Sequence, residues 1–249
     1  MTRIRSVLVV AVLAVVQLHG QSDSSADPGK AAQAKSQEEF DKYLEVVAAG
    51  GPEQVVGKVR EFSAQFPQSE LLAPAYQLEM HAFEQLNDFA GMLAAGRKAL
   101  AGNPDNVGIL LALAPAMASR AAGRADKVEL LSQAEAYARK ALTQIDATRL
   151  SKKTSMEQWS LQKRQMQAEA HGVLGTVALQ RKQAKVAVEE FQTALNLTPK
   201  PQGIDYLRLG LALNASGARS DAQKNFRRAA ELGPESVSTL AQEETRNLK

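Results

Sequence analysis

Beyond residue 35 the apolar positions recur at helical spacing, and Gly, Pro and Asn break the pattern into short runs. Ser36 stands three residues before Glu39, a capping-box spacing that starts a helix running through Val47. Gly50, Gly51 and Pro52 end it. Val55, Val56, Val59, Phe62 and Phe66 then mark one face of a second helix that stops at Pro67. Asn106 to Arg120 forms a helix with Pro115 inside it, and a kink is expected there. Lys127 to Leu142 forms another. Thr154 and Glu157 again have capping-box spacing. Met156, Trp159, Met166, Ala170, Val173, Leu174 and Val177 keep helical spacing, so one long helix is predicted over about 155–180. Glu235 to Lys249 reads as a polar helix with Leu240 and Leu248 on it.

The helices repeat. Residues 171–199 align without a gap on residues 206–234. Leu174-Gly175 matches Leu209-Gly210, Ala187 matches Ala222, Phe191 matches Phe226, Ala194 matches Ala229, and Pro199 matches Pro234, all at an offset of 35. Gly175, Gly210, Ala187 and Ala222 permit close approach of paired helices, Phe191 and Phe226 fill the space towards the next pair, and each Pro stops the second helix. Upstream, residues 76–104 carry a degenerate copy. Tyr76 takes the bulky slot, Phe83 the next core slot, Met80 replaces the first Gly, and Arg97 to Pro104 parallels the closing run.

These slots resemble the tetratricopeptide repeat (TPR) family, most specifically over residues 168–236. The resemblance implies an all-α fold, an α-α superhelix or solenoid of helical hairpins. The expected layout is hairpins at about 36–67, 73–106, 107–145, 168–201 and 203–236, with a helical insertion at 146–167 and a C-terminal cap at 235–249. Solenoids need such a cap because the last repeat otherwise exposes its stacking face. A coiled coil is disfavoured, since the period is near 35 with Pro and Gly in fixed slots rather than an unbroken heptad.

Residues 1–20 read differently. Arg3 and Arg5 precede a ten-residue apolar run, Val7 to Val16, and a polar stretch follows Gly20. This is the layout of a secretory signal peptide, with cleavage expected after Gly20. An uncleaved anchor is the alternative, but a spanning helix needs about 20 apolar residues. Residues 21–35 read as a flexible linker. Export to the periplasm or the exterior is therefore expected. No stable membrane span is expected after cleavage. The net charge is +3, but without residues 1–20 the count is 28 basic against 27 acidic residues. Such a balance offers no broad footprint for nucleic acid, and none is expected as a partner.

The chain has no Cys, which excludes disulfides, a thiol nucleophile and Cys-ligated metals. No phosphate-binding, nucleophile-elbow or zinc-protease motif is present. His81 and Glu84 could share a metal, but two ligands on one helical turn do not make a site. His171 occupies the bulky slot that Tyr206 holds in the next repeat and is expected to pack. The Asn196-Leu197-Thr198 and Asn214-Ala215-Ser216 sequons fall in predicted helices. No catalytic residue, cofactor or metal is expected, and the chain is read as a non-enzyme.

What the resemblance implies for function is protein binding, with the first helix of each hairpin lining a groove for a protein or peptide. The groove candidates taken from the repeat register are Gln77, His81, Glu84, Leu111, Thr176, Leu207, Leu211 and Asn214, with Pro115 and Gly172 at the same register. None of these is basic, and the only Asn is Asn214, so the family's carboxylate-clamp mode is not expected. Leu207 and Leu211 leave two readings open, a groove face or core. The overall plan is similar to exported bacterial envelope-assembly and secretion accessory proteins. Alternatives are a non-catalytic small-molecule-binding or enzyme-accessory subunit, or a homo-oligomer that assembles through the Trp159 extension.

Overall fold

The structure is a computed structural model and describes residues 32–148 and 155–248. The leader, most of the linker and Thr154 lie outside the described residues. The described residues form eleven helices and fall into two compact units, with the boundary between Ile109 and Leu110. The architecture is an all-α helical-repeat solenoid.

The first unit holds α1 (Gln37–Val47), α2 (Pro52–Gln65), α3 (Leu72–Gln85) and α4 (Phe89–Gly102). Each packs on the next, and α1 also touches α3. Ser36 caps α1 by accepting from the Glu39 amide at 3.1 Å, while the Glu39 carboxylate takes the Lys35 amide. Pro52 opens α2 where a missing N–H is harmless. The core is Tyr43, Val46, Val59, Phe62, Leu71 and Ala75, with the Tyr43 and Phe62 rings 5.9 Å apart.

The helix α5 (Val107–Arg120) crosses the boundary and runs through Pro115. The second unit continues with α6 (Lys127–Ala147), α7 (Met156–Gln180), α8 (Ala184–Leu197), α9 (Gly203–Ala215), α10 (Arg219–Leu232) and α11 (Glu235–Asn247). The helix α6 runs past Leu142 because Ala138, Ala141 and Ile145 keep one buried stripe and no breaker interrupts it. The capping box of α7 uses Ser155 and Gln158 rather than Thr154 and Glu157. Ser155 Oγ accepts from the Gln158 amide at 3.1 Å and the Gln158 side chain accepts from the Ser155 amide at 3.3 Å. Phe191 packs with Ala178 and Ala187 and with Leu209 and Ala212 of the next hairpin. Phe226 does so with Leu207, Ala222, Ala229 and Ala241.

Three hairpins share one turn. Asn87, Lys182 and Gly217 have φ of 54°, 62° and 87°. Their amides each donate to the carbonyl three residues back, at 3.0 Å. The next amides, of Asp88, Gln183 and Ala218, donate five residues back to Phe83, Ala178 and Leu213 at 2.9 Å. This double bond is a Schellman closure, which uses otherwise orphaned carbonyls at a helix C-terminus and turns the chain into the second helix.

The two helices of each such hairpin also meet at a glycine covered by a phenylalanine. A Cβ placed on Gly175 would fall 2.7 Å from the Phe191 ring, and one on Gly210 would fall 2.6 Å from Phe226. In the α3/α4 hairpin the roles are exchanged. Gly91 lies on the second helix and its Cβ would fall 2.5 Å from Phe83 on the first.

Candidate groove

The helix α7 is 25 residues long, and its N-terminal part extends beyond the repeat. Polar contacts hold this extension down. Lys163 pairs with Asp146 at 3.1 Å, Gln167 Nε2 donates to Asp146 at 3.0 Å, and Arg164 donates to the Asn196 carbonyl at 3.3 Å. At its other end Arg181 pairs with Glu135 of α6 and donates to Ser132 at 3.1 Å. His171 lies half-buried with Nδ1 2.7 Å from a Glu190 carboxylate oxygen of α8, so it joins two helices by a polar contact as well as by packing. The long helix is thus tied to α6 and α8 along its length.

One face of α7 then stays open towards α9 and α5 and lines a groove of about 910 Å³. Leu161, Gln165, Glu169, Gly172, Thr176 and Leu179 come from α7. They recur at three- and four-residue steps, which places them on one stripe. Ile204, Arg208 and Leu211 come from α9, Pro115 and Ala118 from α5, and Leu195, Thr198 and Lys200 from the end of α8 and its turn. The walls are mainly apolar in surface, with polar side chains set among the apolar ones.

Those polar groups have distinct states. Thr176 Oγ1 donates to the Gly172 carbonyl at 2.9 Å, so its hydrogen is used within the helix. The Gln180 amide donates to the Ala118 carbonyl, which lies in the last turn of α5 and has no helical donor. That bond fixes the amide's orientation and leaves Gln180 Oε1 buried with no hydrogen-bond partner among the described residues. Glu169 faces solvent across the groove but is walled in by protein, and this desolvation pushes its carboxyl pKa up. Opposite, Asp205 caps α9 by accepting from the Gln202 amide at 2.8 Å.

The fold has counterparts among solved structures. A thermophilic TPR protein of Thermus thermophilus superposes with a TM-score of 0.50 at 16% identity, covering 85% of this chain and 97% of that one. The fold is tetratricopeptide-like. Two further similar structures are an assembly chaperone of RpL4 (TM-score 0.41, 13% identity, 84% of this chain and 96% of that one) and the MamA protein (TM-score 0.29, 22% identity, 64% and 90%). No family model and no curated protein matches the chain.

The register candidates separate on this geometry. Thr176 and Leu211 line the groove, as do Pro115 and Gly172. Leu207 does not. It is only 3% exposed and packs with Phe226 and Ala241, because α11 comes back over α9 and covers that side. Leu111 is likewise buried in α5. Asn214 is half-buried and lies outside the groove lining. In the first unit, Gln77 accepts from Asn106 at 3.2 Å. His81 and Glu84 face each other at 3.4 Å on an accessible helix surface. No cluster of three or more metal-ligating side chains occurs among the described residues. None of their helices is long and apolar enough to cross a membrane.

Leu161, Gln165 and Glu169 were not among the register candidates. A signal for them was available: they continue the Gly172 and Thr176 stripe at helical steps into the extension. A template confined to the repeat stops short of them.

Proposed function

We propose that this chain is an exported, non-catalytic adaptor that holds a protein or peptide segment in the groove between α7 and α9. The groove is the observation that carries the reading. It is open, mainly apolar and lined by a rigid, doubly anchored helix, which is how a peptide site presents pre-formed surface. The leader pattern of residues 1–20 supports export, and a place in envelope assembly or secretion fits it. The absence of catalytic motifs from the sequence supports a role without turnover.

Filling the groove tests this. Gly172 lines it, and a Cβ there would meet no atom within 4 Å, so Gly172→Trp adds bulk to the groove without a backbone clash. The variant should keep its helical circular dichroism and lose the partners that the wild-type chain retains from an envelope extract. Retention of the same partners by the filled variant would remove the groove from the reading. Mass spectrometry of the exported protein should find Gln21 at the N-terminus, and Met1 retained in a membrane fraction would overturn cleavage.

A further inference from the structure

The groove of the proposed adaptor has a charge pattern that defines its occupant more closely, provided that the adaptor reading holds. Two acceptors on the α7 wall have no donor among the described residues. Glu169 makes no ion pair among the described residues, although its carboxyl lies in the groove lining. Gln180 Oε1, three turns further along the same stripe, is buried and has no partner among the described residues. Gln165 sits one turn before Glu169, and Leu161, which is 53% exposed, extends the apolar wall beyond it. The facing side presents two cations beside the Asp205 carboxylate, which is engaged by the Gln202 amide. Arg208 of α9 and Lys200 of the preceding turn both line the groove, and neither makes an ion pair among the described residues. Several other cations in this unit are used in pairs, Arg181 and Arg139 with Glu135, Lys163 with Asp146, Lys224 with Asp221 and Arg228 with Glu231, and ones unpaired among the described residues, such as Lys182 and Lys185, lie outside the groove lining. Unpaired charges of opposite sign on two walls with apolar surface between them form a template for a complementary chain.

We infer that the groove takes an apolar peptide segment from a partner protein that carries a Lys or Arg for Glu169 and an Asp or Glu for Arg208. The cation meets a carboxylate that no described side chain of this protein neutralises. Apolar side chains between the segment's two charges cover Ala168, Val173, Ile204 and Leu211. The charges set orientation, because a reversed segment places like charges together on both walls, and like-charge juxtaposition is strongly unfavourable.

A displayed library of random 15-residue peptides, selected on the purified chain, tests the inference. Wild-type protein should enrich peptides with a Lys or Arg among apolar residues. Glu169→Lys should shift enrichment towards Asp or Glu at that place, and Glu169→Gln should abolish the preference. For one enriched peptide, Glu169→Lys should weaken binding on the order of tenfold, and the matching Lys→Glu peptide should restore it. Glu169 is solvent-facing, and helical circular dichroism confirms that both variants remain folded. Peptides that are lost on Gly172→Trp, but show no charge preference and no response at Glu169, overturn the inference and leave the groove intact as a binding site. Peptides that bind the Gly172→Trp variant equally well, or a library that yields no binder, overturn both.

Discussion

The α3/α4 hairpin and the two hairpins α7/α8 and α9/α10 solve one packing problem with opposite placements of the same two residues. In the later pair, glycine sits on the first helix and phenylalanine on the second: Gly175 under Phe191, Gly210 under Phe226. In the earlier one, Phe83 is on the first helix and Gly91 on the second. With Pro104 aligned on Pro199, Met80 takes the glycine slot and Gly96 takes the phenylalanine slot, and both are buried. The hairpin thus keeps the sum of two side-chain volumes at the crossing rather than either residue, as close packing requires.

The largest test of that statement is to remove the filling ring. Phe226 is fully buried, and Phe226→Ala should cost about 3–5 kcal/mol. Phe83 is only half-buried, so Phe83→Ala should cost less. Denaturant titration followed by circular dichroism compares them. A larger loss at Phe83 would mean that the first unit depends on this crossing more than its burial indicates.

Adding bulk beneath the ring is next in size. Gly210→Leu and Gly91→Leu should each lower stability by about 1–3 kcal/mol, since a Cβ alone already intrudes on the ring. The sharper version is a cycle. Gly91→Ala should be milder in a Phe83→Ala background, and Gly210→Ala milder with Phe226→Ala. Additive losses in either cycle would show that the glycine and the ring do not share one space.

The same alignment sets Glu79 in the slot of Leu174 and Leu209, and Glu79 is only 8% exposed. Desolvation pushes its carboxyl pKa up, and the more distant charges of Lys98 and Arg60 pull it partly back. A folded-state pKa above the unfolded value means that ionisation penalises the fold. The penalty is absent below the unfolded pKa, grows as pH rises towards the folded one, and is complete above it. Glu79→Leu should therefore gain on the order of 1 kcal/mol at neutral pH. The gain should shrink on acidification, and stability curves of both proteins against pH check this. A gain that grows towards acid would reverse the assignment.

How much of this was legible beforehand depends on what each signal records. Leu174-Gly175 and Leu209-Gly210, with the Phe, Ala and Pro after them, were plain because two copies place identical types at identical slots. The exchange at Phe83 and Gly91 was half hidden, because slot-by-slot matching registers Met80 as a defect and cannot see that volume moved to the other helix. In the groove, Thr176 and Leu211 came from the repeat register, whereas Leu207 was lost to packing by α11. Covering by a capping helix is a tertiary event, and the periodicity of α9 alone cannot distinguish a covered face from an open one. Glu169 and Gln165 were recoverable from helical steps but lay outside the repeat template.

The smallest effects should appear at the turns, where the three hairpins agree in geometry and differ in residue. Asn87, Lys182 and Gly217 all hold positive φ in the same Schellman closure. Glycine adopts that conformation without a Cβ penalty, asparagine tolerates it, and lysine has no such exemption. Lys182 is solvent-exposed and makes no ion pair among the described residues, so its side chain offers little in return. Lys182→Gly should then raise stability by about 0.5–1 kcal/mol, although part of that gain is offset by the greater freedom of glycine in the unfolded chain. Gly217→Lys should lose a similar amount, and Asn87→Gly should change least. Melting temperatures of the three variants rank the turns directly. A Lys182→Gly protein that melts lower than wild type would show that the α7/α8 closure draws on the lysine side chain. The three turns would then be alike in backbone but not in what holds them.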